Sequence, residues 1–235
     1  MTGGEPGAMN SALLFDLDGT LVDSDAEHLA AFQRVFAPHG IQLDRFEYAA
    51  NIMGASNDMI ARLYLSHLAP HEQAATLNAK EAAYRDALGE LEPILGALAL
   101  LDYADGRGLK RAVVTNAPRA NAEKVLAALG IGQRLPIVVI GGELARSKPD
   151  PLPYLTALER TGALASHSLA FEESLSGVRA AAGAGLAVVG MTTTLDARTL
   201  IGAGAIFAAQ DFTDRRIFEL IEARLSSGAD KGLKP

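Results

Sequence analysis

Cysteine is absent from this 235-residue chain. Its absence excludes disulfides, thiolate metal ligation and a cysteine nucleophile, and it fits a reducing, cytoplasmic setting. Positive charge is also scarce: 21 Lys and Arg stand against 28 Asp and Glu, for a net charge of -7. Nucleic acids are held by basic patches, so nucleic acid is not an expected partner. A small phosphorylated metabolite is compatible with this balance, because a metal ion and a few cations can supply positive charge locally. No apolar run free of charge is long enough to span a bilayer, so no membrane partner is expected. The opening MTGGEPGAMNS has neither the basic start nor the apolar stretch of a signal peptide. Residues 1–10 and 226–235 are expected to be flexible tails. There is no internal repeat.

Nearly half of the residues, 49%, are hydrophobic, enough to build a sizeable core. Short apolar runs alternate with stretches of helical period. Strands are expected at residues 12–15, 111–115, 137–140, 168–171, 186–190 and 205–208. Helices are expected at 119–129, 152–158 and 217–225, and one over 94–101 with Pro93 at its start. Gly130, Gly183 and Gly185 are candidate helix stops. Continuous apolar strands alternating with helices imply an α/β fold whose parallel sheet is covered on both faces. From Asp25 to Leu91 the alternation breaks. Leu29, Phe32, Val35 and Phe36 recur at helical spacing, as do Met59, Ile60, Leu63 and Tyr64, and residues 74–88 form a third helical pattern. Residues 25–91 are therefore expected to be a helical insertion into a domain built from 11–24 and 92–225.

The sharpest local signal is DLDGT at residues 16–20, directly after the first strand. Reactive groups in open α/β sheets gather at the carboxyl ends of strands. Two carboxylates there can divide the work of phosphate-ester cleavage. Asp16 can attack phosphorus and form an aspartyl-phosphate, while Asp18 protonates the leaving oxygen and later takes a proton from water. A solvated Asp-Gly turn is the bland alternative.

FDLDGTLVDS, residues 15–24, strongly resembles the first motif of haloacid-dehalogenase-type phosphatases. Three further matches follow in that family's order: Thr115-Asn116, then Ser147-Lys148-Pro149, then Phe171-Glu172-Glu173-Ser174 with Gly177 behind. The resemblance covers residues 12–225. It implies a doubly wound parallel sheet with an inserted α-helical cap. It also implies a Mg²⁺-dependent phosphatase acting on a sugar phosphate or a phosphorylated hydroxy acid. Thr115, Asn116 and Lys148 would bind phosphate oxygens, because phosphoryl transfer is mostly positioning and charge stabilisation. Taken alone, Lys148 reads as a solvated surface lysine. Asp16, the main-chain carbonyl of Asp18, Glu172 and Glu173 would hold Mg²⁺, which prefers hard oxygen ligands. The acidic pair also suits a helix N-terminus. Glu173 departs from the related subgroup, whose fourth motif usually has Asp there; the longer side chain calls for a different metal geometry or rotamer.

The insertion resembles the cap of the phosphoglycolate phosphatase and β-phosphoglucomutase branch. His28 matches a cap-hinge histidine, Gly54-Ala55-Ser56 a substrate-specificity loop and Lys80 a cap lysine reaching the active site. His28, Ser56 and Lys80 are thus substrate-binding candidates, each with an ordinary surface role as the alternative. Asn57 stands where the mutase loop carries an arginine for a second phosphate, and a neutral amide cannot replace that fork. This favours a phosphatase over a β-phosphoglucomutase-like mutase; a non-catalytic binding protein is a third reading, supported by Glu173 alone. The second Asp of the first motif sets the chain apart from dehalogenases and phosphonate hydrolases. Arg119 is either a substrate contact or a helix-start surface residue, and Glu143 is read as structural or solvated.

Overall fold

A computed structural model describes residues 10–229, so most of the two expected tails lies outside the described residues. Its centre is a six-stranded, all-parallel sheet in the order β3-β2-β1-β4-β5-β6. The strands are β1 (Ala12–Phe15), β2 (Lys110–Thr115), β3 (Ile137–Ile140), β4 (Leu169–Glu172), β5 (Ala187–Met191) and β6 (Phe207–Ala209). The strand order reverses direction at β1, which lies between β2 and β4. In such sheets the switch point opens a crevice beyond the carboxyl ends of the strands.

Both faces of the sheet are covered, which explains why the strands read as continuous apolar runs. Successive side chains of β1 go to opposite faces. Leu13 and Phe15 join one apolar cluster with helices α5 (Ala97–Arg107), α6 (Arg119–Ala128) and α10 (Arg215–Ala229). Ala12 and Leu14 join the other, with α7 (Leu152–Thr161), α8 (Leu175–Gly183) and α9 (Ala197–Ala203). Phe15 stacks on Phe171 of β4 at 5.0 Å, and Phe212 meets both rings edge-on. Each fully buried Leu or Phe contributes roughly 1.5–3 kcal/mol, so this inner zone holds β1 firmly against β4.

Between β1 and β2 the chain makes α1 (Asp25–Phe36), a short α2 (Arg45–Glu47) that runs into a π-turn at Tyr48–Ile52, α3 (Asn57–Tyr64) and α4 (Pro70–Ala87). Phe32, Phe36, Tyr48, Ile60 and Leu77 from these segments form a third apolar cluster. The chain leaves and returns at one place. Val22 forms an antiparallel bridge with Pro93, and the Ile94 N–H donates to the Leu21 carbonyl at 2.9 Å.

That pairing corrects the helix expected over 94–101. Residues 93 and 94 are engaged with 21 and 22, so α5 starts at Ala97 and runs on to Arg107. Strands β4 and β5 each lie one residue later than expected, and α10 extends past Leu225 to Ala229. Gly183 is the last residue of α8 rather than its stop; Gly185 follows the helix. No helix among the described residues is long and apolar enough to cross a membrane.

Candidate active site

Asp16 is the first residue beyond β1. Its N–H donates to the Phe171 carbonyl at 3.0 Å, so the parallel pairing with β4 continues through it and fixes its backbone. Lys148 comes from the loop after β3 and is almost wholly buried, not on the surface. Its Nζ donates to Asp16 Oδ1 and, at 2.5 Å, to Glu172 Oε1. Glu172 ends β4 and also accepts from the Tyr154 hydroxyl at 2.6 Å and the Ser174 hydroxyl at 3.3 Å. Glu173 accepts from Thr20 of the first loop at 2.8 Å. Four separated stretches of chain thus meet beyond the carboxyl edge of the sheet.

The charges do not balance. Asp16, Glu172 and Glu173 offer buried carboxylate oxygens that lie within 4.8 Å of one another, and Lys148 is the ammonium among them. Burial first, then the neighbouring Glu172, outweigh Lys148 and push Asp16 up to about 7. Burial, then Asp16 and Glu172, drive the Glu173 carboxyl well above its ordinary range. Burial would push Lys148 down, but Asp16 and Glu172 more than offset it and hold the ammonium charged. A divalent cation would close this deficit, and the donors are the hard oxygens such an ion prefers. The residues present fit that group. The longer Glu173 is accommodated by Gly19, where a Cβ would lie 2.6 Å from Glu173 Cγ; the backbone there, at φ 73°, also suits glycine.

Asp18 points elsewhere. Its Oδ1 accepts from Ser24 at 2.6 Å and Tyr84 at 3.0 Å, and His28 Nε2 lies 3.3 Å away. Burial raises its proton affinity, but the His28 ring and these donors overcome that, leaving the carboxyl below its ordinary range. The other imidazole nitrogen, Nδ1, lies 2.9 Å from Lys80 Nζ, so the ring bridges Lys80 and Asp18. His28 stacks on Tyr84 with ring centroids 3.8 Å apart. Lys80 also donates to Glu81 at 3.1 Å and lies 4.3 Å over the Phe32 ring. Burial pulls its pKa down, with Glu81 opposing.

Asp16, Asp18, His28, Lys80, Thr115, Asn116, Lys148 and Glu173 all line one cavity of about 70 Å³ between the sheet edge and the inserted helices. Three of the expected residues, Asn116, Ser56 and Asp18, have particular placements. Asn116 was expected to meet phosphate with its amide or its backbone N–H; the amide is committed to backbone, as Nδ2 donates to the carbonyls of Gly54 and Lys148 and Oδ1 accepts from the Lys148 N–H, which leaves the backbone N–H as the alternative. Ser56 does not line the cavity. It is the N-cap of α3, accepts from the Met59 N–H, and faces an adjoining groove. Asp18 enters the metal expectation only through its main-chain carbonyl, because its carboxylate is not part of the acidic cluster. Arg119 is held by Glu143 in an exposed bidentate pair, so each is the other's partner.

Several participants were not singled out in the sequence. Ser24 and Tyr84 hold Asp18, Thr20 holds Glu173, Tyr154 holds Glu172, and Glu81 holds Lys80. Ser24 and Thr20 lie inside FDLDGTLVDS, and Tyr84 lies one helical turn beyond Lys80, which is a usable signal. Nothing local to Tyr154 marks it.

Known proteins share this arrangement of chain. Validoxylamine A 7'-phosphate phosphatase of Streptomyces hygroscopicus subsp. limoneus is 33% identical over 211 residues, 88% of this chain and 97% of that protein. Phosphoglycolate phosphatase of Rhodospirillum rubrum is 30% identical over 213 residues, 87% of this chain and 88% of that one. The crystal structure of a CbbY variant from Rhodobacter sphaeroides in complex with xylulose-(1,5)bisphosphate superposes with a TM-score of 0.74 at 30% identity, covering 87% of this chain and 95% of that one. The four loops that converge on Asp16 all fall within residues 13–191, the stretch matched by the family model for haloacid dehalogenase-like hydrolases, and this chain belongs to that family.

Proposed function

We propose that this protein is a Mg²⁺-dependent phosphatase of a small phosphate monoester, working through an aspartyl-phosphate on Asp16. One observation carries the reading: Asp16 lines a cavity between the sheet edge and the inserted helices, with Lys148 on one oxygen and a buried surplus of carboxylates beside it. In this reading 11–24 with 92–225 form the catalytic domain, and 25–91 are a cap that closes over the substrate and excludes water. The cysteine-free composition suits work in a cytoplasmic setting.

With Oδ1 held by Lys148, the other oxygen of Asp16 is the nucleophile. It attacks phosphorus, the ester P–O bond breaks, and the departing oxygen takes a proton from Asp18. Water then attacks the phosphorus of the aspartyl-phosphate, Asp18 takes its proton, and Asp16 and inorganic phosphate are freed. All three donors to Asp18 meet Oδ1, so Oδ2 faces these transfers. The resting Asp18 is a carboxylate, the form the second step needs. A dianionic phosphoryl group entering beside it raises its proton affinity for the first. Asp16, Glu173 and the Asp18 carbonyl, with Glu172 beside them, would hold Mg²⁺, whose charge would keep Asp16 ionised and neutralise phosphoryl oxygens. Lys148 and the Thr115 hydroxyl bind those oxygens, and Glu172 orients Lys148. The Lys80–His28 pair aligns Asp18 and meets the substrate from the cap side.

A mutase needs to grip a second phosphate. Asn57, which occupies that position in the loop, donates its amide to Glu81, and this favours hydrolysis. The test is phosphate release from a panel of sugar and hydroxy-acid phosphates, with and without Mg²⁺. Release should require the metal and fall by roughly 10⁴-fold in Asp16→Asn. Folded protein that releases phosphate equally well with Asn at position 16 would remove Asp16 as nucleophile. Isomer formation without phosphate release would favour the mutase.

A further inference from the structure

The cavity has two chemically different ends. Its floor holds Asp16, Lys148 and Glu173, the groups that face the phosphoryl transfer. Its far wall, from the inserted helices, carries Asp25 at the head of α1, Lys80 and Glu81 on α4, and Asn57 on α3, set among apolar Phe32 and Ile60. No arginine lines this cavity among the described residues, and Lys80 is the cation of the far wall. Lys80 is not poised to receive an anion. Its ammonium already contacts the Glu81 carboxylate at 3.1 Å and His28 at 2.9 Å, and it rests over the Phe32 ring.

The two carboxylates of this wall are fixed in place. Glu81 is buried and accepts from Asn57 at 3.0 Å and from Asn121 of α6 at 2.6 Å. Asp25 accepts from the hydroxyls of Tyr48 and Thr194. Neither can swing away to admit a negative group. The adjoining groove gives such a group no better reception. Its Arg62, Arg119 and Arg146 are matched by Asp58, Glu143 and Asp150, and two of the pairs are in direct contact at 2.6 Å.

Resting on the phosphatase reading above, we propose that the ester's leaving group is an uncharged or cationic, hydroxyl- or amino-bearing molecule, and that Glu81 and Asp25 turn away esters carrying a carboxylate or a second phosphate. Carboxylates accept from hydroxyls and ammonium groups, whereas an anion entering this low-dielectric space meets like charge with no free cation to offset it. The choice left open by family resemblance, sugar phosphate or phosphorylated hydroxy acid, falls on the polyol side.

A matched pair of esters tests this directly: glycerol 3-phosphate and 3-phosphoglycerate, which differ chiefly by a hydroxymethyl group in place of a carboxylate, with p-nitrophenyl phosphate as the reference. The wild-type kcat/KM should favour glycerol phosphate by about tenfold or more, which corresponds to roughly 1.4 kcal/mol. Phosphoethanolamine should be turned over at least as well as glycerol phosphate. Glu81→Gln should shrink the ratio between the matched esters. Should that variant fail to fold, Asp25→Asn provides the same readout. A purely structural role would lower both esters alike and leave the ratio untouched. Equal or reversed preference in the wild type, or a ratio unchanged in every folded variant, overturns the proposal. If even p-nitrophenyl phosphate is not hydrolysed, the phosphatase reading itself falls, and this inference with it.

Discussion

At the residue scale, Asp16 carries a conflict between catalysis and stability. A nucleophile must be ionised, yet burial raises its pKa from 3.8 to about 7 in the metal-free protein. A carboxyl whose folded pKa is raised favours the folded state fully below the unfolded value. That advantage is lost as pH rises towards the folded value. Between those two values the unfolded chain releases the proton while the native chain keeps it, so metal-free stability should fall with rising pH. Asp16→Asn removes the share of that dependence due to Asp16 and leaves that of Glu173. In the absence of metal the variant should unfold at higher denaturant than wild type at pH 7, and the gap should narrow towards pH 4. A gap that is constant across this range would show that Asp16 titrates normally. The gathering of the candidate site was legible in sequence where its residues lie in local motifs, as Asp16, Lys148, Glu172 and Glu173 do. Tyr154 and Asn121 were not legible, because each acts through a partner far away in sequence: Tyr154 on Glu172, Asn121 on Glu81. A pattern in one stretch of chain carries no record of such pairs.

At the scale of elements, the inserted helices meet the sheet domain through apolar packing, with Ala31 and Tyr84 joining the cluster of Leu13 and Phe15, and through a polar contact at Gly54. The Gly54 carbonyl accepts from Asn116 at 2.9 Å and from Ser176 at 2.8 Å. A Cβ on Gly54 would lie 2.4 Å from the Ser174 hydroxyl oxygen, and φ there is 69°. Gly54→Ala is therefore expected to prevent this loop from seating on the start of α8. The loss should appear as a fall in kcat/KM of about tenfold or more, from misplacing the cap side of the cavity. The sheet and its flanking helices should keep their unfolding free energy to within about 1–2 kcal/mol. Normal turnover in that variant would mean that the loop need not seat for the reaction. Element types were largely legible, because amphipathic period and apolar runs are strong signals. Boundaries were less so: the start of α5 was displaced by the pairing of Pro93 and Ile94 with the first loop, a tertiary event that the proline signal could not report.

At the scale of the whole molecule, three apolar clusters hold the fold, and the acidic cluster belongs to none of them. Stripping divalent cations should therefore abolish turnover while leaving a cooperatively folded protein, with circular dichroism little changed. Restored metal should add stability only by mass action, about 2.7 kcal/mol at a hundredfold excess over the dissociation constant. Unfolding on chelation would assign the metal a structural role instead. The doubly wound architecture was legible because both faces of each central strand are apolar, and β1 shows it in four residues.

The bridge between Val22 and Pro93 brings the two ends of the inserted segment to one place. Because departure and return share one doorway, everything between them is, to the sheet, a single loop. Asp16, Lys148 and Glu173 at one end of the cavity lie outside that doorway, and Asp25, Asn57, Lys80 and Glu81 at the other end lie within it, so the two ends of the cavity are written into separate stretches of chain.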